Sequence, residues 1–123
     1  MPHLILEYSA NLLEKDKLSD LFAELHQLLV DSLPTQLASC KSRAYEAKDY
    51  RVGDGNAQNA FLHLSVRVMA GRSETLLREI AAKSMDVLRS YFLASSQNLN
   101  LQISLELGEL GKVYLKRDSL ISV

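Results

Sequence analysis

Residues 60–92 read AFLHLSVRVMAGRSETLLREIAAKSMDVLRSYF, and two different periods meet inside them. From Ala60 to Met69 the apolar residues Leu62, Leu64, Val66 and Val68 alternate with His63, Ser65 and Arg67, the period of a half-buried strand. Gly71-Arg72-Ser73 turns the chain, with Ser73 as the predicted helix N-cap. Leu76, Leu77, Ile80, Ala81, Met85, Leu88 and Phe92 then fall on one helical stripe. Leu101, Ile103, Leu105 and Leu107 resume the alternation, against Asn100, Gln102, Ser104 and Glu106. This half of the chain is therefore predicted as one β-α-β unit, at about 60–108.

The first half reads the same way. Leu4-Ile5-Leu6-Glu7-Tyr8 is strand-like. Asn11 is a predicted N-cap, with Glu14 in the capping-box position three residues on. Leu18, Leu21, Phe22, Leu25, Leu28 and Leu29 follow at helical spacing, and Pro34 marks the stop. Cys40 to about Arg51 is a less regular second strand, and Gly53-Asp54-Gly55-Asn56 is a turn. A second β-α-β unit thus spans about 2–51. The expected fold class is α/β (α+β): a tandem β-α-β repeat whose right-handed crossovers set two helices on one face of a four-stranded sheet. The other face, with His63, Ser65, Arg67 and Glu106, meets water or packs against copies of the same chain in a ring-shaped oligomer.

Composition agrees with one domain over 1–123. The chain is 47% hydrophobic and 24% charged, with a net charge of -1. That balance suggests neither nucleic acid nor an acidic membrane surface as a partner. No apolar run approaches the roughly 18 residues of a membrane span, and no secretory signal is visible. Cytoplasmic location is the default, since the single cysteine, Cys40, has no intrachain partner. Cys40 reads as a small buried or interface residue. His3, His26 and His63 lack ligand-type spacing, so no metal site is expected, and no phosphate loop or nucleophile elbow is present.

The residues able to carry chemistry lie at strand ends. Removal of Met1 would make Pro2 a free secondary amine held at the start of a strand, a positioned general base if its surroundings lower its pKa. A base that removes a proton next to a carbonyl needs positive charge nearby for the enolate, and those cations also disfavour the protonated amine. Arg72, where a strand ends and a helix begins, is one source. It opposes the helix dipole there, a conflict that a bound carboxylate would remove. Lys41 and Arg43 project to one face of the second strand and are another source. Each also has a plain reading: Arg72 as a solvated side chain, and Lys41 and Arg43 as a charged edge that resists aggregation. His3 either lines the site beside Pro2 or makes an ordinary structural hydrogen bond.

Pro2-His3 opening a strand that continues to Glu7, the two β-α-β units, Ser42-Arg43, the run Phe61-Leu62-His63-Leu64 to Ala70-Gly71-Arg72-Ser73, and the late Leu105-Glu106 strand together resemble the tautomerase superfamily. Within it they most resemble the 5-carboxymethyl-2-hydroxymuconate isomerase family. The resemblance spans almost the whole chain. It implies a homotrimer whose sheets surround a central barrel, sites near subunit boundaries, loss of the initiator methionine, and no metal or organic cofactor. It implies Pro2 as the base that moves a proton between positions of an unsaturated 2-hydroxy or 2-oxo polycarboxylic acid, with Arg72 and Arg43 as carboxylate binders. Lys41 stands where that family usually has arginine. It keeps the charge and loses the planar two-pronged grip. The family's reaction converts 5-carboxymethyl-2-hydroxymuconate to its 2-oxo isomer in bacterial homoprotocatechuate breakdown. A tautomerase of a different 2-oxo acid, and a non-catalytic trimer that binds a small acid or a protein partner, are the alternatives. A retained Met1 would acylate the Pro2 nitrogen and favour the last.

Overall fold

The computed structural model describes residues 1–119. Its elements run β1 (His3–Ser9), α1 (Leu18–Ser32), β2 (Lys41–Ala47), β3 (Asn59–Val68), α2 (Glu74–Tyr91), α3 (Leu93–Asn98) and β4 (Asn100–Glu109). The four strands form one sheet in the order β2-β1-β3-β4. Within each β-α-β unit the strands are parallel, β1 with β2 and β3 with β4. The two units join through the antiparallel pair β1–β3. The tandem repeat expected from the periodicities is the fold observed.

The core lies between the sheet and the helices. Leu4, Leu6, Leu62, Leu64 and Val66 point into it from the central strands. Leu21, Leu25 and Leu29, one helical turn apart, meet them from α1, and Ile80 and Leu88 do so from α2. Each of these side chains is withdrawn from water, which stabilises the fold by roughly 1.5–3 kcal/mol per large aliphatic residue. On the outer β4 strand the inward leucines are only half-buried. The opposite sheet face is polar, as its alternation required. There His63 hydrogen-bonds Ser104 (2.7 Å) and Glu106 (3.3 Å), and Ser65 donates to the same Glu106 carboxylate.

Three local expectations are corrected. Asn11 and Glu14 do not form a capping box. The Asn11 amide donates to the Asn59 carbonyl at 2.9 Å and its oxygen accepts from Ser9 Oγ at 2.7 Å. Glu14 is buried and accepts from the Ser95 amide (3.0 Å) and the Ser95 hydroxyl. With both side chains committed to long-range partners, the chain makes a 3-10 turn at Lys15–Lys17, and α1 begins only at Leu18 without a side-chain cap. The same carboxylate explains why the second helix breaks. Ser95 N–H is among the unpaired donors of the first turn of α3, and Glu14 supplies their acceptor from across the fold. Fully buried Phe92 anchors the break. Finally, β2 ends at Ala47 rather than Arg51. Its partner β1 ends opposite it at Ser9, after which only the Ala10 N–H reaches the Ala47 carbonyl (3.0 Å).

Candidate active site

Antiparallel pairing of β1 with β3 sets the start of the first strand beside the end of the third: His3 is in register with Arg67. Pro2 therefore lies next to Val68, the last residue of β3. Beyond Val68 the chain must double back to enter α2. Gly71 does this with φ +105°, a backbone conformation L side chains rarely adopt, and its N–H is held by Glu109 Oε2 at 2.9 Å. Ser73 then caps α2, its hydroxyl accepting from the Leu76 N–H at 3.1 Å as the sequence predicted. Arg72, between a held glycine and a capping serine, lines the same cleft as Pro2.

Pro2 and Arg72 line one narrow cleft of about 50 Å³, closed by Val68 and by Leu33, Pro34 and Thr35 at the end of α1. Pro2 is buried. Met1 also lines this cleft, and its amine donates to Thr35 Oγ1 at 3.3 Å. The Arg72 Nε is buried and has no hydrogen-bond partner among the described residues. Buried polar hydrogens are nearly always paired, so this one marks a place where an acceptor belongs. On its other side Arg72 borders an open groove of about 530 Å³ between α2 and β4, floored by Leu77, Ala81 and Leu107.

The N-terminal amine titrates below its ordinary value, chiefly because it is partly buried. Cys40 opposes this, while the Lys41 and Lys116 ammonium groups reinforce it.

Lys41 and Arg43 are at the same end of the sheet but on its other face. Ser42 between them turns to α1, where it meets His26 Nε2 at 2.5 Å. Lys41 grips the site through its backbone, its N–H donating to the Pro2 carbonyl at 3.0 Å, while its ammonium donates to the Ser39 carbonyl at 3.1 Å. Arg43 Nη1 donates to His3 Nδ1 at 3.1 Å, and His3 Nε2 pairs with the Tyr114 hydroxyl at 2.9 Å. A guanidinium has no lone pair to offer, so His3 accepts at Nδ1 and is neutral. Burial first, then Arg43, Lys41 and the N-terminal amine, hold its pKa below the ordinary value. The structure thus joins Pro2 to Arg72, and joins Arg43 to His3 rather than to the cleft. Tyr114 and Lys116 were not singled out in the sequence, because residues 110–119 carry no periodic pattern that fixes their path. Lys116 Nζ lies 3.3 Å from Ser39 Oγ and 3.2 Å from Asp118 Oδ2.

The three histidines make separate contacts. Among the described residues no group of three His, Cys, Asp or Glu side chains is placed to hold a metal. Among the same residues no helix is long and apolar enough to cross a membrane.

A four-stranded sheet built from two β-α-β units, with Pro2 and Arg72 in one cleft beside its central strands, is the fold of the tautomerase superfamily. Residues 2–122 match the family model described as 5-carboxymethyl-2-hydroxymuconate isomerase, and the chain belongs to that family. The chain is 29% identical over 110 residues to a 5-carboxymethyl-2-hydroxymuconate Delta-isomerase of Escherichia coli, covering 89% of this chain and 87% of that protein. A crystal structure of a 5-carboxymethyl-2-hydroxymuconate isomerase from Deinococcus radiodurans R1 superposes with a TM-score of 0.86 at 30% identity, over 95% of this chain and 90% of that one. A more distant structure, a fused 4-OT wild-type symmetric trimer, shares the fold at 17% identity, with a TM-score of 0.66 over 98% of this chain and 94% of that one.

Proposed function

We propose that this isomerase shifts a proton within an unsaturated 2-hydroxy/2-oxo polycarboxylic acid, with 5-carboxymethyl-2-hydroxymuconate as substrate and the Pro2 nitrogen as base. The observation that carries the reading is the buried Arg72 Nε, without a partner among the described residues, on an arginine that lines the same cleft as Pro2. Loss of Met1 does two things there. It frees the Pro2 nitrogen, which as an amide has no basic lone pair, and it removes one wall of the cleft. The nitrogen then inherits a partly desolvated, cationic setting that favours its neutral form.

In the reaction the 2-hydroxyl O–H breaks and its proton passes to Pro2. The oxygen electrons form the 2-oxo carbonyl, the double bonds move along the chain, and the proton is returned to carbon. No atom is gained or lost. Arg72 binds a carboxylate and neutralises the dienolate that forms midway. The groove beyond Arg72 takes the rest of the acid, its apolar floor against the carbon chain. Lys41, whose ammonium among the described residues has only the Ser39 carbonyl as partner, adds positive charge. Arg43 supports the site through His3 in the isolated chain and is available to a carboxylate only by leaving that histidine.

The uncovered polar sheet face and the half-buried outer leucines of β4 support a homotrimer packed through its sheets, and the 4-OT structure that shares this fold is described as a symmetric trimer. The acid fits a product of aromatic-ring cleavage such as that of homoprotocatechuate breakdown, in the cytoplasm. Lys41 in place of arginine makes a different 2-oxo acid the alternative substrate, which a panel of such acids would separate.

The test uses protein whose intact mass shows that Met1 is gone. Ultraviolet absorbance of 5-carboxymethyl-2-hydroxymuconate should change rapidly on mixing. The Pro2→Ala variant should lack that change and keep its assembly state. An unaltered rate in that variant ends the proposal. No change above the spontaneous rate with any acid in the panel would leave a binding role.

A further inference from the structure

The inward face of β4 carries Leu101, Ile103, Leu105 and Leu107 at every second position, and the next position on that face is Glu109. A carboxylate thus stands where the alternation calls for an apolar side chain. Parallel pairing with β3 sets Glu109 beside Val68, the last residue of that strand. Two further contacts keep this strand end in place. The Leu110 N–H donates to the Val68 carbonyl at 2.7 Å, and Arg67 Nη1 donates to the Glu109 carbonyl at 3.4 Å. From this fixed point Glu109 Oε2 accepts from the Gly71 N–H at 2.9 Å.

Gly71 is the loosest point of the turn that carries Arg72. Its φ is +105°, and beyond its chain neighbours no heavy atom lies within 4 Å of the place a Cβ would take. Packing does not hold it there, and glycine gives up more conformational freedom than any other residue when it is fixed. On the other side of Arg72, Ser73 is held by its capping bond to the Leu76 N–H. The turn is therefore tied at Ser73 by the cap and at Gly71 by Glu109, with Arg72 between them. Arg72 and Glu109 also line the same groove between α2 and β4.

We propose that Glu109 is a positioning residue of the isomerase: through the Gly71 N–H it fixes the turn that holds Arg72 in the cleft shared with Pro2. The proposal rests on Arg72 as the carboxylate binder. With the turn ordered before substrate arrives, binding does not have to order it. What the role requires is an acceptor at the reach of a glutamate. Glutamine keeps that reach and an acceptor oxygen but has no charge. Aspartate keeps the charge but is shorter by one methylene, about 1.5 Å.

The experiment measures kcat/KM for 5-carboxymethyl-2-hydroxymuconate on Met1-free protein with Glu109→Gln, Glu109→Asp and Glu109→Ala, each alone and combined with Arg72→Met. Glu109 is exposed, so these changes remove no core packing. Glu109→Ala and Glu109→Asp should each lose roughly 3- to 10-fold. The loss should divide between KM and kcat as it does in Arg72→Met, and Glu109→Gln should stay close to the wild-type value. With Arg72 already replaced, Glu109→Ala should cost less than about 2-fold, because the group it positions is gone. Hydrogen exchange at the Gly71 amide reads the contact without turnover. It should be faster in Glu109→Ala and Glu109→Asp than in the wild type and Glu109→Gln.

A Glu109→Ala loss of the same size with and without Arg72 overturns the role, because Glu109 would then act on something else. An active Glu109→Asp beside an impaired Glu109→Gln overturns it as well, since charge rather than reach would matter. Equal Gly71 exchange in all variants does the same. The two readings fail separately. Unchanged kcat/KM in Arg72→Met would remove Arg72 as the binder, whereas an impaired Arg72→Met beside a fully active Glu109→Ala would remove only the part given to Glu109.

Discussion

Replacing Arg72 by methionine should weaken catalysis without weakening the fold. Methionine keeps the unbranched apolar stem, so the packing of that stem against the groove is largely retained. It removes a buried N–H that has no acceptor among the described residues. Leaving such a donor unpaired costs about 1–3 kcal/mol, part of which water at the cleft mouth returns. Unfolding free energy of the ligand-free protein should therefore stay level or rise, by up to about 1–2 kcal/mol. The substrate loses a charge-assisted hydrogen bond worth about 1.5–3 kcal/mol, so kcat/KM should fall roughly 10- to 100-fold. If the loss is mainly in KM, Arg72 grips substrate and transition state alike. If kcat falls as well, it acts on the dienolate. Urea unfolding at fixed protomer concentration gives the stability and steady-state kinetics the rest. A variant that loses stability while keeping kcat/KM would refute the reasoning, because Arg72 would then be a structural residue whose acceptor lies inside the folded protein.

Three further outcomes follow from other contacts. Ser73→Ala removes the acceptor for the Leu76 N–H and should destabilise the protein by about 1 kcal/mol, with a rise in KM because the turn carrying Arg72 loosens; a urea midpoint equal to the wild type's would show the cap to be idle. Asn11→Ala breaks the hydrogen bonds to Ser9 and Asn59 and should cost about 1–2 kcal/mol while leaving kcat/KM unchanged; an activity loss with unchanged stability would contradict it. His3 and His26 both titrate below their ordinary value of 6.5, each chiefly because of burial. The unfolded chain thus binds more protons than the folded one just below pH 6.5, so stability should be full above that pH and fall as the pH drops toward the folded-state pKa values. His26→Gln should flatten part of this slope in urea titrations between about pH 5 and 7.5, and an acid side as stable as neutral pH would overturn the assignment.

Element type was legible wherever one period ran long enough. The alternation in 60–69 and 101–107 and the helical stripes of α1 and α2 each record a face that meets the core, fully buried along β3 from Leu62 to Val68 and half-buried along β4. Pro2 and Arg72 drew notice in the sequence because both sit at strand or helix boundaries, and the fold brings them to one cleft. What local patterns could not carry was the destination of polar side chains. Glu14 has the spacing of a capping box, but the buried Ser95 amide, 81 residues away, offers it a better-shielded partner. Arg43 has the charge of a carboxylate binder, but His3 takes its Nη1. Tyr114 and Lys116 lie in a stretch without periodicity, and only the tertiary path brings them to the first strand.

The two ends of the β1–β3 pair explain why one of them is a site. Two similar units joined antiparallel create two equivalent corners, each formed by the start of one central strand and the end of the other. At the first corner the start of β3 meets the end of β1. There Ser9 Oγ accepts from the Phe61 N–H at 3.0 Å and donates to Asn11, and Asn11 closes onto Asn59. These polar groups are paired with one another, so nothing there awaits a ligand. At the second corner the start of β1 meets the end of β3, and the geometry is the same. Here the residues are a buried proline, an arginine whose Nε lacks an acceptor among the described residues, and the Met1 amine, made less basic by its burial and by Lys41 and Lys116. A fold with no use for that corner would be expected to satisfy it as it satisfies the first, because the residue types needed are ordinary ones. A carboxylate bound at this corner would give the Arg72 Nε the acceptor it lacks among the described residues, which is what the first corner already provides for its own polar groups.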